Sequence, residues 1–163
     1  MNKRLFIVRH AKSSWDYPQL SDFERPLNKR GKRDVPDMSQ RFLETGCQID
    51  LIMSSPAERA LITAKGYAAR LGISSDQIEQ REDLYHASTS SIRRIISNTN
   101  NKINALMLFG HNPGFTYLIN DLSDFYLDNL PTCAICGIQF EIDNWSQIIH
   151  TTGKKFYYDY PKS

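Results

Sequence analysis

Two histidines and two arginines stand where short apolar runs end. Arg9-His10 follows Leu5-Phe6-Ile7-Val8, Arg59 follows Ser54-Ser55-Pro56 at the close of "DLIMSS", and His111 follows "LMLF" in the stretch "GHNPG". Guanidinium groups grip phosphate oxygens bidentately and keep their charge. A neutral imidazole can attack phosphorus and carry the phosphoryl group covalently. A second imidazole, protonated, can stabilise the equatorial oxygens during transfer. The set therefore suits phosphoryl transfer. Paired histidines could instead bind a metal ion, but neighbouring arginines would repel the cation, and clustered carboxylates are not evident. Neither a Walker phosphate loop nor a dinucleotide glycine fingerprint is present.

These side chains meet only if the runs that precede them are neighbouring strands. Leu5–Val8, "DLIMSS" and "NALMLFG" read as short buried strands, and helical periods separate them. "LNKRGKRDVPDMSQRFLETG" carries the apolar stripe Val35, Met38, Phe42 and Leu43, with Pro36 making its first turn irregular and Gly46 as a stop. "PAERALITAKGYAARLG" predicts a helix opening at Pro56 and ending at Gly72. Ile78 marks a short strand before "REDLYHAS". Ser88 or Thr89 caps a helix through Ile96, and another helix starts behind Pro113. "TCAICGIQFEID" and "KKFYYDY" read as closing strands joined by a turn near Asp143–Asn144, antiparallel or at the edge. Repeated strand–helix units predict an α/β fold: a mostly parallel sheet with helices on both faces, whose ligands sit at the carboxyl ends of the strands.

Composition sets limits. The 163 residues make one ordinary domain, and a net charge of +2 argues against a general nucleic-acid binder. The charge is uneven, because Lys3, Arg4, Arg9, Lys12, Arg25, Lys29, Arg30, Lys32 and Arg33 crowd the first fifth of the chain against Asp16, Asp22 and Glu24. Such a field can be a solvated helix face or can draw in an anionic substrate. Leu5–Val8 is too short for a secretory core, and no run approaches a membrane span. Three cysteines suit reduced thiols in a cytoplasm; Cys133 and Cys136 spell "CAIC" but run into a strand pattern, which favours ordinary strand thiols over a redox or zinc role.

"VRHAKS", "SSPAERALITA" and "GHNPG", in this order and at these distances, resemble the histidine phosphatase superfamily, in the branch with phosphoglycerate mutases. "ERPLNKRG" and "LPTCAI" resemble its SixA-type phosphohistidine phosphatases, over roughly residues 4–142. The resemblance implies one histidine phosphatase domain over 1–163, a three-layer α/β/α phosphoglycerate mutase-like fold and no cofactor or metal. Position by position, His10 resembles the phosphate-accepting nucleophile. Arg9, Arg59 and His111 resemble the rest of the pocket, and Arg25 and Ser13 further phosphate contacts. Ala11 replaces the usual Gly of the motif, and Asp16 stands where many relatives have a phosphate-holding Asn, so it is expected to point away or pair with a base. His86 falls where relatives often place the proton-donating Glu; an imidazolium can serve near neutral pH, a surface loop histidine is the alternative, and Glu82 is a nearby substitute. His150 lies in no motif.

These expectations converge on a cytoplasmic phosphatase working through phosphohistidine on His10. Its expected partner is a phosphohistidine-bearing protein or a small phosphoester, with no nucleic acid or membrane partner. A phosphomonoesterase and a non-catalytic phosphate binder are the alternatives.

Overall fold

The computed structural model describes residues 2–162. Apolar runs buried on both faces make the strands β1 (Lys3–Arg9), β2 (Leu51–Ser54) and β4 (Ala105–Gly110). Along β1, Leu5 and Ile7 face one core while Phe6 and Val8 face the other; Leu106 and Leu108 alternate with Met107 and Phe109 in β4. Period-two alternation between two apolar layers explains why these strands read as unbroken hydrophobic runs. With β3 (Glu79–Gln80), β5 (Ile135–Phe140) and β6 (Lys154–Asp159) they form one six-stranded sheet in the order β3-β2-β4-β1-β5-β6. β1 and β2 each run parallel to β4, and β2 runs parallel to β3. β5 runs antiparallel to β1, and β6 to β5.

Helices α1 (Lys29–Glu44) and α2 (Glu58–Leu71) cover the face carrying Phe6 and Phe109. Helices α3 (Thr89–Ser97) and α4 (Gly114–Leu122) cover the face carrying Leu5 and Leu108. This is the expected three-layer α/β/α, phosphoglycerate mutase-like arrangement. No helix among the described residues is long and apolar enough to cross a membrane.

Local chemistry moved several boundaries. α1 runs unbroken through Pro36, an exposed residue in its second turn. α2 starts at Glu58, because the Ser55 hydroxyl accepts from the Ala57 amide (3.2 Å) and holds the chain in a turn first. Ile78 is buried but precedes its two-residue strand. The joint between β5 and β6 is longer than a turn at Asp143–Asn144: a 3-10 helix over Trp145–Ile149 intervenes. Trp145 is fully buried and donates its indole N–H to the Ile103 carbonyl (2.8 Å), so one aromatic anchor, with no periodic pattern around it, fixes this segment.

α1 also braces the loop that follows β1. The Asn28 side chain accepts from the Gly31 amide (2.9 Å), and the Asn28 amide donates to the Lys12 carbonyl (3.0 Å). Gly31 lies so close to this loop that a Cβ would stand 2.2 Å from the Lys12 oxygen. Replacing a helical Gly by Ala ordinarily gains about 1 kcal/mol. For Gly31→Ala the backbone clash should win, with a net loss of about 1–3 kcal/mol in urea unfolding. A stabilised variant would contradict the close approach.

Candidate active site

β1, β4 and β2 lie side by side, so the ends that carry Arg9-His10, His111 and Ser55 open onto one crevice. The His10 and His111 rings stand 5.2 Å apart, centroid to centroid. His10 is fixed from several directions. Its amide donates to the Gly110 carbonyl (3.1 Å), and its carbonyl accepts from the Cys133 amide (3.0 Å). The next amide, that of Ala11, donates to the Thr63 hydroxyl of α2 (3.0 Å), which itself donates to the Arg59 carbonyl (2.8 Å). Ala11 sits fully buried in the core and adopts no left-handed backbone, so the motif tolerates a side chain there.

The ring of His10 has a defined tautomer. Nδ1 lies 2.8 Å from the Ala11 carbonyl. A carbonyl only accepts, so Nδ1 carries the proton and Nε2 keeps its lone pair. Burial, together with the charges of Arg59, Arg9 and Arg25 but against the Ala11 hydrogen bond, holds the His10 pKa down at about 3. His111 is held at about 3 by burial first, then by His10, Arg59 and His86. It is therefore neutral near neutrality, where the sequence suggested an imidazolium; burial first, and the charged neighbours after it, account for the difference. Its Nε2 lies 2.8 Å from the Ser55 hydroxyl, whose oxygen already accepts from Ala57. Ser55 keeps a second lone pair, so its hydroxyl can either donate to Nε2 or accept from it. Nδ1 is buried with no partner among the described residues, and it is a free donor in the arrangement where Ser55 donates. Arg9 Nη1 donates to the Leu130 carbonyl (2.9 Å), while its Nε–H is buried with no partner among the described residues. An unsatisfied buried donor costs about 1–3 kcal/mol, and an oxyanion in the crevice would satisfy Arg9 Nε–H and, in the arrangement where Ser55 donates to Nε2, His111 Nδ1–H.

Sequence reasoning missed the carboxylate that organises the other cations. Arg59 donates to the Asp22 carbonyl (2.7 Å) and to its Oδ2 (3.0 Å), and Arg25 donates to Oδ1 (3.0 Å). The Tyr85 hydroxyl donates to Oδ2 (2.7 Å), and His86 Nε2 lies 3.5 Å from the same oxygen. Burial alone would raise the Asp22 carboxyl, but the bonds from Tyr85, Arg59 and Arg25 outweigh it and hold the pKa well below the usual range. Arg25 also donates to the Ser14 carbonyl (3.0 Å) and to the Ser13 hydroxyl. Arg25 spacing hinted at Asp22, three residues earlier. Ser55 and Thr63 lie inside the quoted "SSPAERALITA" but carry no role in the sequence reading, and neither does Tyr85.

The structure thus brings Arg9, His10, Arg25, Arg59, His111 and Ser13 together, with His86 at the lip. His86 is exposed, has φ 54°, stacks on Tyr85 (4.0 Å) and stands 6.1 Å from the His111 ring. Gly114 lets its loop approach α4, since a Cβ there would stand 2.5 Å from the Ala87 oxygen. A cleft of about 410 Å³ runs from His111 and His86 past Pro113 to Tyr117, beside the crevice. Glu82 is exposed on the preceding 3-10 turn. Asp16 and His150 are both exposed. Cys133 and Cys136 belong to opposite core faces, so they share no site; burial raises the Cys133 thiol and pushes Cys136 up to about 12.

Known proteins share features of this sequence and fold. The family model for the histidine phosphatase superfamily (branch 1) matches residues 5–89. An uncharacterised chloroplastic protein of Arabidopsis thaliana is 29% identical over 94% of this chain and 73% of its own length. Among solved structures, a SixA-type protein from Agrobacterium tumefaciens superposes with TM-score 0.81 at 21% identity, covering 98% of this chain and 99% of its own. The protein histidine phosphatase SixA complexed with tungstate gives 0.81 at 21% identity, with 95% of each chain covered. A mycobacterial glucosyl-3-phosphoglycerate phosphatase gives 0.70 at 12%, over 96% of this chain and 98% of its own.

Two buried neutral imidazoles make stability depend on pH. Their folded pKa values of about 3 lie below the free value, so the unfolded chain binds more protons between about 3 and about 6.5. Stability is complete above about pH 6.5 and lost as pH falls toward about 3. Urea unfolding should weaken by on the order of 2 kcal/mol or more between about pH 7 and about pH 4, and His111→Gln should flatten the slope. An equal slope in that variant would contradict the burial assigned to His111.

Proposed function

We propose that this chain, which belongs to the histidine phosphatase superfamily, hydrolyses phosphohistidine on a protein by way of a phosphoryl group carried on its own His10. The observation that supports this most is the His10 tautomer, with Nε2 unprotonated in a crevice walled by cations. In the first step Nε2 attacks phosphorus, the bond to the substrate nitrogen breaks, and the phosphoryl group moves to His10. In the second, water attacks phosphorus, the bond to Nε2 breaks, and phosphate leaves with the neutral imidazole restored. Arg9, Arg59 and the Nδ1–H of His111 would hold the equatorial oxygens, with Arg25 and Ser13 steadying them from one side. The tungstate held by one SixA relative is an oxyanion of phosphate's kind, which suits this arrangement.

The choice of phosphohistidine over a phosphoester rests on the leaving group. An alkoxide needs a proton as the P–O bond breaks, and Asp22 is too strongly ionised to supply it. His86, exposed at the lip of the cluster, is the donor this reading tests, with Glu82 or solvent as the alternatives. A phosphoimidazole can arrive protonated on its distal nitrogen and depart as neutral imidazole, so it makes little demand on an enzymic acid. Three free thiols suit a reducing cytoplasm for such a partner.

A phosphorylated histidine domain, a panel of sugar phosphates and nitrophenyl phosphate separate the readings. The wild-type protein should prefer the histidine domain, whereas a clear preference for sugar phosphates favours the phosphomonoesterase. No turnover of any substrate leaves a phosphate binder. His86→Ala should slow sugar phosphates by about 10²–10⁴-fold, the range of general acid catalysis, and scarcely slow nitrophenyl phosphate. Equal loss on both would make His86 a positioning group.

A further inference from the structure

The first turns of α1 carry Lys29, Arg30, Lys32 and Arg33 and no acid before Asp34. A helix N-terminus is the positive end of its dipole, so cations there work against the fold. Lys29, Lys32 and Arg33 stand at i, i+3 and i+4, on one face, where like charges repel. All are exposed, as is Lys12. Asp34 answers only part of this charge: Arg30 and Arg33 approach it at 3.6 Å, while Lys12, Lys29 and Lys32 have no ion pair among the described residues. A local rule broken without local compensation points to function.

The patch is joined to the crevice. Lys12 lies two residues after His10, and its carbonyl accepts from the Asn28 amide (3.0 Å) at the start of α1. The bridge between Ser13 and Leu27 holds the same loop beside Arg25. Trp15, 74% exposed, lies over the Arg25 guanidinium at 3.3 Å and adds a bare aromatic face.

Resting on the phosphohistidine reading above, we propose that Lys12, Lys29, Lys32, Arg33 and Trp15 form a docking surface for an acidic face of the phosphorylated protein. The cations lie on an open helix face and the loop beside it, outside the pocket, so they enclose no small ligand. Spread charges of one sign instead match carboxylates distributed over a protein surface, and they accelerate encounter and set orientation. An exposed aromatic beside them is the kind of anchor such interfaces use.

The test uses the triple variant Lys29→Gln, Lys32→Gln, Arg33→Gln and three substrates: a histidine-phosphorylated phosphotransfer domain with an acidic surface, the same domain with its acids neutralised, and phosphoimidazole. At low salt the wild-type protein should favour the acidic domain by roughly tenfold or more in kcat/KM, a preference that fades as salt rises. The variant should lose that preference, keep its rate on phosphoimidazole, and melt no lower than wild type, because cations have left a helix N-terminus. A preference that survives in the variant overturns the docking surface. So does an equal loss on all three substrates, or a loss of duplex DNA binding with protein turnover unchanged. A wild-type protein that hydrolyses phosphoimidazole but neither phosphorylated domain overturns the protein-substrate reading itself.

Discussion

One hydrogen bond governs the chemistry: Nδ1–H of His10 to the carbonyl of the very next residue, Ala11. It decides which nitrogen has a lone pair and where that lone pair points. The bond holds only if the Ala11 peptide is itself immobile, and much of the neighbouring structure serves that end. Thr63 on α2 takes the Ala11 amide, Gly31 on α1 presses on the Lys12 carbonyl, and Cys133 takes the His10 carbonyl. Three separate elements thus converge on two peptide units. A parallel sheet makes this feasible, because the strand ends are fixed in all directions by two packed layers.

The same crevice gathers three guanidinium groups beside two neutral imidazoles, and the guanidinium charges would repel one another without an answer. Asp22 provides the answer, accepting from Arg25, Arg59 and Tyr85 together. It aims two arginines while leaving Arg9 Nε and His111 Nδ1 without partners among the described residues. A bound oxyanion adds the second negative charge the cluster lacks. Holding the histidines neutral follows from the same cause: burial and the nearby cations exclude a further proton. One arrangement therefore favours both a nucleophilic imidazole and an anionic ligand.

Much of this was legible in the sequence, because parallel strands put chemistry at their ends and buried runs announce the strands. Arg9, His10, Arg59 and His111 could be placed on that ground alone, and the layered fold followed from the alternation of strands and helices. The carboxylate was not legible. Asp22 reaches Arg59 across 37 residues and Tyr85 across 63, and no local pattern records such a pairing. Ser55 and Thr63 act through single hydroxyls in segments whose periodicity already had a structural explanation. The Trp145 segment was opaque for a similar reason, since one buried indole holds it against the Ile103 carbonyl. The two cysteines of "CAIC" looked like a pair only in one dimension; the sheet sends their thiols to opposite faces.

The account stands most directly on where phosphate attaches. Protein mixed briefly with excess phosphoimidazole, quenched in alkali and read by phosphorus NMR and peptide mass spectrometry reports both the residue and the ring nitrogen. The account predicts a transient, alkali-stable phosphoryl group on Nε2 of His10, absent from His10→Ala. Attachment through Nδ1, attachment to His111, or turnover with no phosphorylated histidine at any time would contradict it.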